Sequence, residues 1–290
     1  MTPVPFAPAA PSAVDAAQVV QLTNVSKSFQ AGRRLIPAVD RVSMRIHRGR
    51  FVSVVGLSGC GKSTLLRIVA GLSSPDAGAV SIFGESPAAA ASAKHIGFVP
   101  QMPALLSWRT ALGNVRLSLQ VNASANPDRG RTGATGEDRA REVLEALGLA
   151  SALDLRPGQL SGGMQQRVAL ARAFVFDPSI LLMDEPFSAL DEITREEQGK
   201  HLLRVWEANQ KTVLFVTHSI PEAIALSDAV YVMSGTPGTI QTVVPVDLPR
   251  PRPEGVESTS AFHELEDRLR SELRRAREGR RGDPDRRGSR

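Results

Sequence analysis

The chain has 290 residues, 42% of them hydrophobic, enough to bury a substantial core in one large domain with a subdomain. Its formal net charge is +5, yet residues 268–290 hold 10 Arg against 4 acidic side chains, so the preceding body is near −1 and the basicity belongs to a tail. That tail has no aromatic residue, so it lacks the signature of a nucleic-acid surface. No apolar run approaches the ~18 residues of a membrane-spanning helix, and the single cysteine, Cys60, leaves no intrachain disulfide, which suits a reducing compartment.

Residues 1–18 are rich in Ala and Pro, with no charged segment ahead of an apolar one, so they read as a disordered lead-in and not as a signal peptide. Val19 to Arg50 reads as strands and turns, with an apolar run from Val39 to Ile46, and is expected to form an antiparallel sheet. Phe51 to Val55 is a valine-rich strand ending at Gly56, and Ser63 to Leu72 has the composition of a helix stopped near Gly71. Between them, Gly56-Leu57-Ser58-Gly59-Cys60-Gly61-Lys62-Ser63-Thr64 completes the G-x-x-x-x-G-K-[ST] pattern. Glycines in such a loop let backbone N–H groups turn inward around phosphate oxygens, with a helix N-terminus aimed at them. Lys62 is then placed to reach β- and γ-phosphates and Ser63 to put a hydroxyl on Mg²⁺. Cys60 beside Lys62 could be a redox-sensitive thiol, but it reads better as a small residue filling the loop.

From about Pro103 to Gln159 the patterning is helical, clearest over Asp138 to Leu149, and Asn122 to Gly136 reads as an extended surface loop. Leu160-Ser161-Gly162-Gly163 follows as a turn ahead of another helix. Ser179 to Met183 reads as a buried strand with Asp184 at its carboxyl end, where open parallel sheets present ligand-contacting groups. Asp184 suits a Mg²⁺ ion, and Glu185 suits the base that orients and deprotonates an attacking water. Read alone, the Asp-Glu pair is better taken as a helix cap with first-turn charge, and only beside the phosphate loop does the metal and base reading prevail. Val213 to Val216 and Ala229 to Met233 extend the parallel sheet. In Ser258 to Arg277, Ala261, Phe262, Leu265, Leu269 and Leu273 are spaced like one face of a helix, followed by an arginine-rich end.

These residues, from about Val19 to Val246, resemble the ATP-binding subunit of ATP-binding-cassette (ABC) transporters. The resemblance implies an α/β fold of the P-loop NTPase, RecA-like type: a parallel-sheet core with an antiparallel β subdomain and a helical subdomain at about 103–166. The cassette itself spans 19–247, with a C-terminal extension at 248–290. Gln101 matches the family's Q-loop glutamine, which contacts metal and water. Ser188-Ala189-Leu190-Asp191 matches the D-loop that crosses a dimer interface, His218 the switch histidine at the γ-phosphate, and Phe29 the aromatic position that stacks on adenine. Leu57 stands where proline is frequent, Ser219 where aspartate is common, and Phe29 where tyrosine is more usual; none of the three removes an indispensable group.

The family pairs two subunits head to tail, so Ser161, Gly162 and Gly163 of one chain complete the ATP site formed by Lys62 and Asp184 of the other. The resemblance further implies integral-membrane permease partners, a peripheral location on the cytoplasmic face of the cell membrane, and no nucleic-acid partner. Leu105 to Thr110 and Val230 to Gly238 are similar to importers of the nitrate, sulfonate and taurine group, which are served by an extracytoplasmic solute-binding protein. Two other readings keep the same chemistry: a soluble ABC ATPase that remodels nucleic acid or ribosomes, and the ATPase subunit of an exporter. Neither tandem cassettes nor a long coiled-coil insertion, both usual in the soluble class, is present in the sequence.

Overall fold

A computed structural model describes residues 18–125 and 136–278. Most of the expected lead-in, the central part of the expected surface loop and the arginine-rich end lie outside the described residues. Among the described residues nine strands form one continuous sheet. In chain order they are β1 (Gln18–Ala31), β2 (Arg34–His47), β3 (Phe51–Gly56), β4 (Ala77–Ile82), β5 (Ile96–Val99), β6 (Ile180–Asp184), β7 (Thr212–Thr217), β8 (Ala229–Gly235) and β9 (Gly238–Pro245). Their spatial order is β4-β1-β2-β9-β8-β3-β7-β6-β5.

The half from β8 to β5 is parallel. Every residue of β3, β6 and β7 is buried, as expected of strands covered on both faces by helices, and their Val, Ile, Leu and Phe content supplies the material. The half from β4 to β2 is antiparallel, and β1 begins at Gln18, one residue inside the expected lead-in. The sequence reading did not anticipate β4, because its Ala-Gly-Ala stretch carries neither alternation nor a β-branched run. The two halves meet at β2 and β9 through one ladder pair, Val39 with Gly238. A cleft of about 440 Å³ opens beside that seam, lined by Asn24, Asp40, Arg41, Ser43, Thr239 and Ile240.

Among the described residues eight α-helices surround the sheet: α1 (Lys62–Val69), α2 (Pro87–Ser92), α3 (Ala111–Gln120), α4 (Gly136–Ala146), α5 (Gly162–Phe174), α6 (Glu192–Asn209), α7 (Ile220–Leu226) and α8 (Ser260–Glu278). Their starts follow local chemistry: the side chains of Ser86, Thr110, Ser161, Asp191 and Ser219 each accept a backbone N–H one turn on. The helices α3, α4 and α5 pack together as expected of a helical subdomain, with Val115, Leu144, Leu147 and Val168 in its core, although α5 runs on to Phe174, past the expected boundary near 166.

The described part of the C-terminal extension folds back onto the body. Phe262 and Leu269 of α8 are buried against Ile224 of α7 and Val232 of β8, and Leu265 and Leu273 pack beside them. Ala261 is exposed, so the apolar stripe omits it. Ahead of α8, Arg250 stacks on the Trp206 ring at 4.4 Å and donates to Asp228 at 2.8 Å. The Arg252 guanidinium donates to the carbonyls of Ala225, Ser227, Leu248 and Pro249, closing the exit of α7. Burial, aided by the Arg250 charge, lowers Arg252 to about 10.

Candidate nucleotide site

The loop between β3 and α1 turns through left-handed backbone at Gly59 (φ 77°) and Gly61 (φ 92°), and Gly61 is the N-cap of α1. Lys62 opens the helix and is almost fully buried. Its ammonium donates to the carbonyls of Gly56 at 2.9 Å and Leu57 at 3.3 Å, so it lies across the loop's interior. Leu57, Ser58 and Gly59 form the exposed rim and Cys60 the buried base, with Thr64 half-buried behind them.

Ser63 donates its hydroxyl to Asp184 Oδ1 at 2.8 Å, across the gap between α1 and the end of β6. Burial pushes the Asp184 carboxyl above the usual range, and the Ser63 bond pulls part of the way back. Two oxygen ligands thus converge at one point. That donor set fits a hard divalent cation with water in its remaining positions, as Mg²⁺ prefers.

Glu185 follows with φ 45°, a left-handed conformation unusual for a side chain of that size. Its N–H donates to Val216 of β7, which anchors the turn. One carboxylate oxygen lies 3.4 Å from the Lys62 ammonium and the other 2.9 Å from His218 Nδ1. Lys62, Ser63, Asp184, Glu185 and His218, from three separate stretches of chain, therefore form one polar cluster at the carboxyl ends of β3, β6 and β7, where parallel sheets place their ligands.

The remaining candidates sit around that cluster. Gln101, just beyond β5, reaches Ser188 with its side-chain amide at 3.5 Å, which ties the two loops together. Asp191 caps α6 through the Thr194 N–H at 3.0 Å, and that bond holds its carboxyl below the usual range. Phe29 lies on β1, half exposed, with the Lys27 ammonium 5.8 Å from its ring centre. Ser161 and Gly162 are exposed at the start of α5, and Gly163 abuts Leu190 and Thr194 of its own chain. This turn is not part of the Lys62 cluster within one chain.

Two features went unread in the sequence. The Glu222 carboxylate sits behind His218, accepting a short hydrogen bond from the Thr217 hydroxyl, and its other oxygen is buried with no partner among the described residues. Its signal was the Ser219-x-x-Glu222 spacing of a helix start. The second is Gly238, whose approach to Cys60 no local pattern encodes.

Comparison with known proteins agrees with this geometry. Residues 39–188 match the family described as ABC transporter. The chain belongs to that family. Among similar proteins, the aliphatic sulfonates import ATP-binding protein SsuB of Burkholderia ambifaria is 41% identical over 92% of this chain and 75% of its own length. An uncharacterised ABC transporter ATP-binding protein of Methanocaldococcus jannaschii is 41% identical over 80% of this chain and 84% of its own. A solved dimeric ATP-binding cassette in a post-hydrolysis state, bound to ADP and phosphate, superposes with a TM-score of 0.69 at 35% identity, covering 78% of this chain and 98% of that one. This cassette is thus an ABC ATPase with the expected α/β fold. No helix among its described residues is long and apolar enough to cross a membrane.

Proposed function

We propose that this ABC ATPase hydrolyses MgATP to energise an importer of small solutes, of which sulfonates and related anions are the favoured class. The convergence of Lys62, Ser63, Asp184, Glu185 and His218 carries the chemical part of this reading. Identity of 41% to a protein named for aliphatic sulfonate import, extending over 92% of the chain, supports the cargo class.

The loop amides from Leu57 to Thr64 hold the phosphates, and Lys62 leaves the Gly56 and Leu57 carbonyls to meet the β- and γ-phosphates. Ser63 and Asp184 are the residues that would hold Mg²⁺, with Gln101 contributing from the neighbouring loop, and a bound ion would supply neutralisation of charge developing on the phosphate oxygens. Glu185 takes the proton from water as that water attacks the γ-phosphorus, the new P–O bond forming as the bond to ADP breaks. His218 holds Glu185 in place through Nδ1 and contacts the γ-phosphate. Phe29 stacks on adenine.

Two chains assemble head to tail, and Ser161, Gly162 and Gly163 of one reach the γ-phosphate on the other, using the N-terminus of α5. Asp191 and its loop cross between the chains. Gln101 and the neighbouring Met102 and Trp108 form the docking side for the permease. Both apolar side chains are strongly exposed, at 76% and 70%, and the loop that carries Trp108 is pinned from beneath by Asn114, which bonds Leu106, Arg109 and Thr110. The pair works at the cytoplasmic face of the membrane, with a solute-binding protein supplying cargo from the other side.

Replacing Glu185 by Gln tests the chemistry. Turnover should fall at least 100-fold while a dimer persists in MgATP during sedimentation; undiminished turnover would remove Glu185 from the role of base. Co-purification of that variant with a polytopic membrane protein tests the transport reading, and ribosomal proteins in its place would favour the soluble class.

A further inference from the structure

The loop from Gly56 to Thr64 is held from outside by backbone that belongs to no nucleotide motif. At its start, a Cβ on Gly56 would lie 2.2 Å from the Met233 carbonyl oxygen of β8. At its far end, a Cβ on Gly61 would lie 2.5 Å from the carbonyl oxygen of Ala38 in β2. Between these, Gly238 at the head of β9 faces Cys60: a Cβ there would stand 1.8 Å from the Cys60 carbonyl oxygen, 3.0 Å from its carbonyl carbon and 2.4 Å from Met233 Cε. Real carbon–oxygen contacts are not that short, and Cys60 O is main chain, so it can move only by moving the loop. Gly238 also forms the ladder pair with Val39 that joins the two halves of the sheet.

We infer that Gly238 is a positioning residue for nucleotide: the hairpin between β8 and β9 is a wall, and the bare backbone at 238 lets Cys60 sit against it. That seat fixes the backbone from which the N–H groups on either side of Cys60 would reach a phosphate. Hydrogen bonds weaken steeply with misdirection, so a shift of about 1 Å at Cys60 spoils several at once. The loop holds the phosphates alike before and during reaction, so its distortion appears in binding more than in turnover. This inference rests on the reading of residues 56–64 as the phosphate loop.

The test is Gly238→Ala in the full chain, with MgATP affinity by calorimetry and the separate kinetic constants by steady-state hydrolysis. Kd and KM for MgATP should rise at least tenfold with kcat changed less than threefold. Gly235→Ala is the control, because its Cβ meets Pro237 O at 2.5 Å inside the same hairpin, with no loop atom among its nearest neighbours. It should lower the melting temperature and leave KM alone. Equal rises in KM for both variants would reduce the effect to general damage of the hairpin and overturn the inference. Met233→Ala with Gly238→Ala removes the Cε neighbour; recovery of affinity would assign the effect to Met233 and likewise overturn it. If Gly238→Ala does not fold, Thr239→Gly loosens the wall without a clash and should raise KM at least threefold, whereas an unchanged KM sinks the wall. Failure of the unmodified chain to bind MgATP would instead bring down the phosphate-loop reading itself.

Discussion

Glu222 is half-buried four residues on from His218, with one carboxylate oxygen shut off from solvent, and burial pushes its pKa above the usual range. The charges that act on it are Arg195 from α6, His218 and Glu185, the last raising it further. A carboxyl whose folded pKa is raised lends stability that is complete below its unfolded pKa and lost as pH rises through the folded one. Glu222→Gln keeps an acceptor for the Thr217 hydroxyl and has no charge to bury. The melting temperature of that variant should therefore gain on the unmodified chain as pH rises from 5 to 8, and a gap that stays flat or shrinks would mean that Glu222 is not the buried group controlling it. Glu222 also shows where the sequence stops informing. Lys62, Ser63, Asp184 and Glu185 were legible because each lies in a short motif whose spacing is set by one strand, one turn and one helix. The partners of Glu222 and the seat of Cys60 against Gly238 depend on tertiary approach, which a single sequence does not display.

Among the elements, α8 was read most completely. Its 3–4–4 spacing at Phe262, Leu265, Leu269 and Leu273 is the period of one helical face, and that face is the one buried or half-buried against α7 and β8. The Ala261 position failed because a small residue next to Phe262 adds to an apolar list without fixing an angle. Leu269 is fully buried at the centre of this contact. Leu269→Ala should cost about 2–5 kcal/mol, the range for removing a core leucine, measured by chemical denaturation. A loss below about 0.5 kcal/mol would show that α8 detaches before the body unfolds. Strand β4 illustrates the converse. It is held by its ladder with β1 and by Asp76 just before it, which accepts Lys27 and the Ser28 N–H; none of this is written in Ala-Gly-Ala.

At the scale of the whole molecule, parallel and antiparallel parts were expected, but not that they form a single sheet. The order in space inserts the last strand, β9, between β2 and β8, and a strand arriving from the far end of the chain leaves no local trace. That insertion makes the β2–β9 seam, with its one ladder pair and a cleft beside it, thinner in main-chain hydrogen bonds than the five pairs that join β3 to β7. Amide exchange should be faster at Thr239 and Ile240 than in β3 and β7, and MgATP should slow it; equal rates without nucleotide would deny the seam any weakness. Phe29 belongs to the sheet on one side of the seam, whereas the loop at Lys62 springs from β3 on the other. A nucleotide that touches both is then a staple driven across the one poorly sewn join of the sheet, and its departure leaves the two halves freer to flex.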